Sequence, residues 1–290
     1  MRVHGNNIHS KINQSAKYKD EIAKTFLVEI KEKYSAWLDN NETLKGPFSQ
    51  KTEKDKQIIK KRVEIFNDYK DFIDQQKYAE KFDSRSNLHS SVLEEFLEHL
   101  FIDMVSEIDS SALIGKSHSF KDVFFKSSNF ATYLSKPEIL LEKKDHDFII
   151  GVSLDATFQT KSNNSKLIKK SIELPVIAIE CKTYLDKTML EGASNAANQI
   201  KSKNPDALYI VCSEWLKLTD SINLKKYDVD QIFILRKQKN TDREFRYDPK
   251  YKKNPIYDDV VFSMFELVRD HLTNDWSSTI SENLEKGKLI

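Results

Sequence analysis

The sequence predicts an α/β protein with a central mixed sheet flanked by helices and a helical N-terminal region. Three observations carry this. Up to about residue 84 the apolar residues recur at three and four spacings, the period of an amphipathic helix. Beyond that point short apolar, β-branched runs appear, separated by a helical segment. Only six Gly and six Pro in 290 residues leave little room for long linkers, and no internal repeat is present. The boundary is soft, dividing a helical part, 1–84, from an α/β part, 85–290.

Residues 15–38 and 50–80 read as amphipathic helices, the second through Val63, Phe66, Tyr69, Phe72 and Ile73. Between them Leu44-Lys45-Gly46-Pro47-Phe48 marks a turn. From Lys45 to Arg62 seven basic residues, Lys45 and Lys51 among them, meet two acids; this reads either as a solvated helix face or as a phosphate-contacting one. Ser91, three residues before Glu94, has the capping-box spacing, and a core helix follows with Val92, Leu93, Phe96, Leu97, Leu100 and Phe101 on one broad face.

An irregular stretch with Phe120, Phe124, Phe125 and Phe130 precedes a strand at Phe148–Leu154. A polar insertion, Thr160 to Ser171, brings unopposed Lys161, Lys166, Lys169 and Lys170. The strand Leu174–Lys182 comes next, then a helix over 188–203 and apolar strands at 207–212 and 231–235. From Arg236 to Lys253 eight basic residues face three acids, and Arg243 and Arg246 lie in a loop-like stretch suited to tracking a DNA backbone.

Composition narrows the function classes. The formal net charge is +1, so bulk charge favours no partner. The first twenty residues lack the apolar core of a signal peptide, and no run approaches the roughly 18 apolar residues of a membrane span, which predicts a cytoplasmic protein. Cys181 and Cys212 fall in predicted buried strands, so a disulfide or a cysteine zinc site is not expected.

The chemistry is concentrated at Ile177-Ala178-Ile179-Glu180-Cys181-Lys182. Alternation along a strand brings Glu180 and Lys182 out side by side and turns Cys181 the other way. Asp147 opens the preceding apolar strand and Glu180 closes the next, so pairing of the two brings their carboxylates together. With the Cys181 carbonyl and water these oxygens suit Mg²⁺. Lys182, its pKa lowered by the metal, is placed to activate or orient water. An acidic pair, Glu94 and Glu95, lies upstream on the core helix. The pattern acid-x-Lys recurs elsewhere, for example Glu29/Lys31 and Asp68/Lys70, but only at 180 and 182 does it end a strongly apolar strand.

Leu93-Glu94-Glu95-Phe96-Leu97, Lys144-Asp145-His146-Asp147-Phe148-Ile149-Ile150-Gly151, Ala178-Ile179-Glu180-Cys181-Lys182-Thr183-Tyr184-Leu185 and Pro205-Asp206-Ala207-Leu208-Tyr209 follow one another in a familiar order. Over roughly residues 85–240 the chain resembles subunits of the BbvCI-like type II restriction endonucleases, within the PD-(D/E)xK nuclease superfamily. The resemblance implies a restriction-endonuclease-like core, Mg²⁺ dependence, double-stranded DNA as substrate and a homologous partner subunit, each subunit cutting one strand. It assigns Asp147 as the first metal-binding acid, Glu180 as the second and Lys182 as the catalytic lysine, and it implies a further helical Glu near the metal, for which Glu94, on the margin of the buried helix face, fits better than Glu95. His146 stands where the superfamily has Pro, which keeps Asp145 as an alternative to Asp147. A repair or recombination nuclease, or a DNA-binding subunit without activity, are the competing readings.

Overall fold

The computed structural model describes residues 2–13, 17–82, 87–161, 167–240, 250–276 and 284–285. Helices α1 (Val3–Asn13), α2 (Glu21–Thr43), α3 (Asp55–Ile73), α4 (Gln76–Lys81) and α5 (Ser91–Ile108) come first. The strands β1 (Leu113–Lys126), β2 (Glu138–Phe158), β3 (Ile168–Leu185), β4 (Leu208–Leu216) and β5 (Gln231–Ile234) then form one sheet in that order. Pairing is antiparallel for β1–β2 and β2–β3 and parallel for β3–β4 and β4–β5, so the sheet is mixed as expected. A short helix α6 (Phe130–Ser135) joins β1 to β2, α7 (Lys187–Lys201) makes the β3–β4 crossover, and α8 (Asp258–Thr273) follows the sheet.

Each sheet face has its own core. On one side Phe148, Ile150, Ile177, Ile179, Cys181 and Cys212 pack under α5, α8 and the N-terminal helices. On the other, Ile149, Ala178, Tyr209 and Val211 receive the small-residue face of α7, Ala193, Ala196 and Ala197. Both cysteines are buried free thiols. Among the described residues no helix is long and apolar enough to cross a membrane.

The N-terminal helices are tied to the sheet by buried polar groups as well as by the first core. Lys70 of α3 pairs with Glu214 of β4 at 2.9 Å, and Arg236 pairs with the same carboxylate at 2.9 Å. All three side chains are buried, where unpaired charge would be costly. The Gly46-Pro47 turn is present, and the Arg62 guanidinium donates to the Gly46 and Leu44 carbonyls within it, both at 2.7 Å.

Several elements depart from the sequence expectation. The stretch around Phe120–Phe125 is not irregular: it is β1, a largely exposed edge strand with apolar and polar side chains mixed on both faces, which erases the alternating pattern. The second predicted helix breaks at residues 74–75 into α3 and α4. Neither α1 nor α8 was anticipated. Ser91 is not a cap: Ser90 occupies that position without a side-chain bond, and the Ser91 hydroxyl instead meets the His4 ring at 2.9 Å. Asp147 does not open β2 and Glu180 does not close β3; both lie within longer strands whose outer halves are too polar to read as strand.

Candidate active site

The site forms where β2 and β3 part. Their ladder ends at the pair Phe148–Ile179, while β3 continues beside β4 through Lys182–Ser213 to Leu185–Leu216. Asp147 therefore stands one residue beyond the last pair, and its Oδ2 accepts the Cys181 amide at 2.9 Å. On β3 the alternation holds: Lys182 Nζ donates to Glu180 Oε1 at 2.6 Å, and it approaches Asp147 Oδ2 at 3.5 Å. The buried Tyr209 hydroxyl of β4 donates to the other Glu180 oxygen at 3.2 Å. Glu94, in the first turn of α5 and only 7% exposed, aims into the same cleft and accepts from Lys116 of β1 at 3.2 Å. The cleft encloses about 370 Å³.

Lys116 arrives by a register change. Gly115 faces Ile149 and Ser117 faces His146, so the single residue Lys116 stands across from two, Asp147 and Phe148. Such bulges re-aim side chains beside active sites. The preceding Gly115 has φ +108°, a conformation that favours glycine.

The carboxylates differ electrostatically. Burial pushes the Asp147 carboxyl above its ordinary range; the Lys182 ammonium opposes this and the Glu180 charge adds to it. Burial and the Asp147 charge likewise raise Glu94. At Glu180 burial is outweighed by Lys182 and the Tyr209 hydrogen bond, which hold the carboxylate ionised. Burial would lower Lys182, but Asp147 and Glu180 hold it above the usual lysine range. By itself the chain thus presents a cation at 182 rather than a base; the lowered pKa expected from the sequence needs the opposing charge of a bound metal.

The donor set fits a hard divalent cation. Asp147 offers a carboxylate oxygen to a cleft with room for water and Glu180 adjoins it through Lys182, and Mg²⁺ habitually takes one or two carboxylates and keeps several waters. Among the described residues no group of three or more His, Cys, Asp or Glu side chains is arranged to hold a metal ion, so the fit rests on the two carboxylates and water. The Cys181 thiol, buried in the core on the α5 side with its pKa pushed well up by burial, is no ligand; only its main chain reaches the site.

The remaining candidates separate cleanly. Asp145 is exposed and pairs with His118. His146 is buried against the Tyr209 ring at 6.1 Å, and burial lowers its pKa to about 4, so it is a neutral packing residue. Glu95 faces the N-terminal helices: it accepts from the His4 and Gly5 amides at 2.7 and 3.1 Å and from Tyr34 at 2.7 Å, a carboxylate capping the start of α1. Lys45, Lys51, Lys169 and Lys170 line no part of this cleft; Lys51 pairs with Asp270 at 3.1 Å, while Lys169 and Lys170 lie in the β2–β3 ladder far from Asp147. Arg243 and Arg246 fall outside the described residues. Sequence reasoning missed Tyr209 and Lys116. Tyr209 was signalled by its place in an apolar strand adjacent to Glu180; Lys116 had only the Gly before it.

A solved structure described as "native BbvCI A2B2 tetramer at low resolution" is similar in fold, with a TM-score of 0.67 and 17% identity over 92% of this chain and 95% of that one. No curated protein sequence matches the chain. The family model "Bpu10I restriction endonuclease" matches residues 85–289, which contain Glu94, Asp147 and Lys182 lining one cleft and Glu180 hydrogen-bonded to Lys182. The chain belongs to the Bpu10I restriction endonuclease family and is a type II site-specific deoxyribonuclease subunit.

Proposed function

We propose that this chain is a Mg²⁺-dependent subunit that hydrolyses one strand of double-stranded DNA at a short specific site, in the cytoplasm, paired with a homologous subunit that cuts the other. The observation that carries the reading is the joining of Asp147, Glu180 and Lys182 within hydrogen-bond reach at the parting of β2 and β3. A heterodimer is favoured over a homodimer by analogy with the A2B2 composition of the structural neighbour.

In this mechanism Asp147, Glu180 and the Cys181 carbonyl hold the metal, which when bound supplies Lewis-acid neutralisation of phosphate charge. Tyr209 pins one Glu180 oxygen, and the other accepts from Lys182. The Cys181 amide fixes Asp147 in the same way. Lys182 orients the attacking water or steadies the charge of the pentacovalent phosphorus, leaving 5′-phosphate and 3′-hydroxyl ends. Lys45, Lys51, Lys169, Lys170, Arg243 and Arg246 are assigned to the DNA backbone, away from the reacting phosphate. The helical region 1–84 supports α5 and contributes contacts to DNA or partner; 85–290 carries the chemistry.

Glu180→Ala and Lys182→Ala should each abolish cutting of the strand this subunit serves, with DNA binding retained in a gel-shift assay and nicked plasmid accumulating when the partner is supplied. Undiminished double-strand cutting by either variant refutes the assignment.

A further inference from the structure

We propose that Lys116 supplies the second positive charge of the site, so that each chain takes one metal ion, at Asp147 and Glu180, and not a second at Glu94. This rests on the metal-dependent reading above. Two-ion sites place their metals about 3.5–4 Å apart and need carboxylates free to share between them. Here the carboxylates are divided: Glu180 and Asp147 meet Lys182, and Glu94 meets Lys116. Asp147 and Glu180 set two carboxylates against one ammonium and keep a net negative charge for an ion that displaces Lys182, whereas Glu94 and Lys116 are one to one, so a second ion there would have to break a neutral pair.

Lys116 is built into the cleft rather than scattered on its rim. The bulge sets it opposite Asp147 and Phe148, the left-handed Gly115 turns the strand into it, and its partner Glu94 is buried on α5. Its own side chain remains 41% exposed at the ammonium end of the cleft, so the charge can leave Glu94 for a non-bridging phosphate oxygen when DNA enters. Lys116 acts on the metal count through Glu94 and is in that respect a positioning residue.

The experiment is a titration of the purified full chain with Mn²⁺ alone, counting bound ions by electron paramagnetic resonance, with circular dichroism to verify folding. Wild type and Lys116→Arg should bind one ion. Lys116→Met, which keeps the stem and removes the charge, should bind a second ion or hold the first about tenfold more tightly, the scale of one nearby charge. Two ions in wild type, or an unchanged count and affinity in Lys116→Met, overturns the proposal. Glu94→Gln guards against misfolding of the Met variant: it keeps one ion if Lys116 is the second charge, and losing that ion overturns it. If wild type and Glu180→Ala bind Mn²⁺ equally weakly, the metal-site reading itself fails, a different result from any of these.

Discussion

His4 should make the protein lose stability in mild acid. Its ring is buried between the Ser91 hydroxyl at 2.9 Å and the Tyr69 hydroxyl at 2.7 Å, and burial lowers its pKa from 6.5 to about 3, with Glu95 only partly opposing. The native state therefore binds fewer protons here than the unfolded chain. The stabilisation is fully present above pH 6.5 and is lost as pH falls toward 3. At 1.36 kcal/mol per pKa unit, the linkage between pH 7.5 and pH 5 amounts to about 2 kcal/mol. For 290 residues, at about 2.1 cal/mol/K of unfolding entropy per residue, that corresponds to about 3 °C in melting temperature. Carboxylates titrate too, so the quantity to measure is a difference: urea unfolding of wild type and of His4→Gln at both pH values. Gln cannot charge, so the variant's deficit at pH 7.5 should shrink by about 2 kcal/mol at pH 5. A deficit that stays constant across that range refutes a neutral, buried His4.

Two further outcomes follow from the site and its frame. Tyr209→Phe removes the donor to Glu180 while keeping the ring against His146, and should weaken metal binding and cleavage by about 10–100-fold with little change in melting, as measured by Mn²⁺ titration and plasmid digestion. Gly151→Ala would drive a methyl into the Leu174 carbonyl oxygen where the β2–β3 register shifts, and should cost about 1–3 kcal/mol in urea unfolding.

What the sequence made legible is what periodicity carries. Ile177 and Ile179 point to one core and Ala178 to the other, so the side-by-side exit of Glu180 and Lys182 was readable from alternation alone, whereas β1 was not read as a strand. Choosing Asp147 over Asp145 also agreed with its abutting Phe148, and the structure turns Asp145 out to solvent with His118. Glu94 and Glu95 were separable only through α1, whose amides claim Glu95 from more than eighty residues away. Lys116 was illegible because a bulge breaks the period-two rule that would have located it, and an edge strand with one partner carries little apolar signal.

The shared buried carboxylate of Lys70 and Arg236 bears on how such chains can be recombined. Glu214 sits on β4 one residue past Ser213, the partner of Lys182, and Lys70 comes from α3. A hybrid that joins residues 1–84 of a relative to 85–290 of this chain keeps Glu214 with Arg236 but replaces Lys70 by whatever the relative carries there, so the buried carboxylate retains both cations only where that relative supplies one.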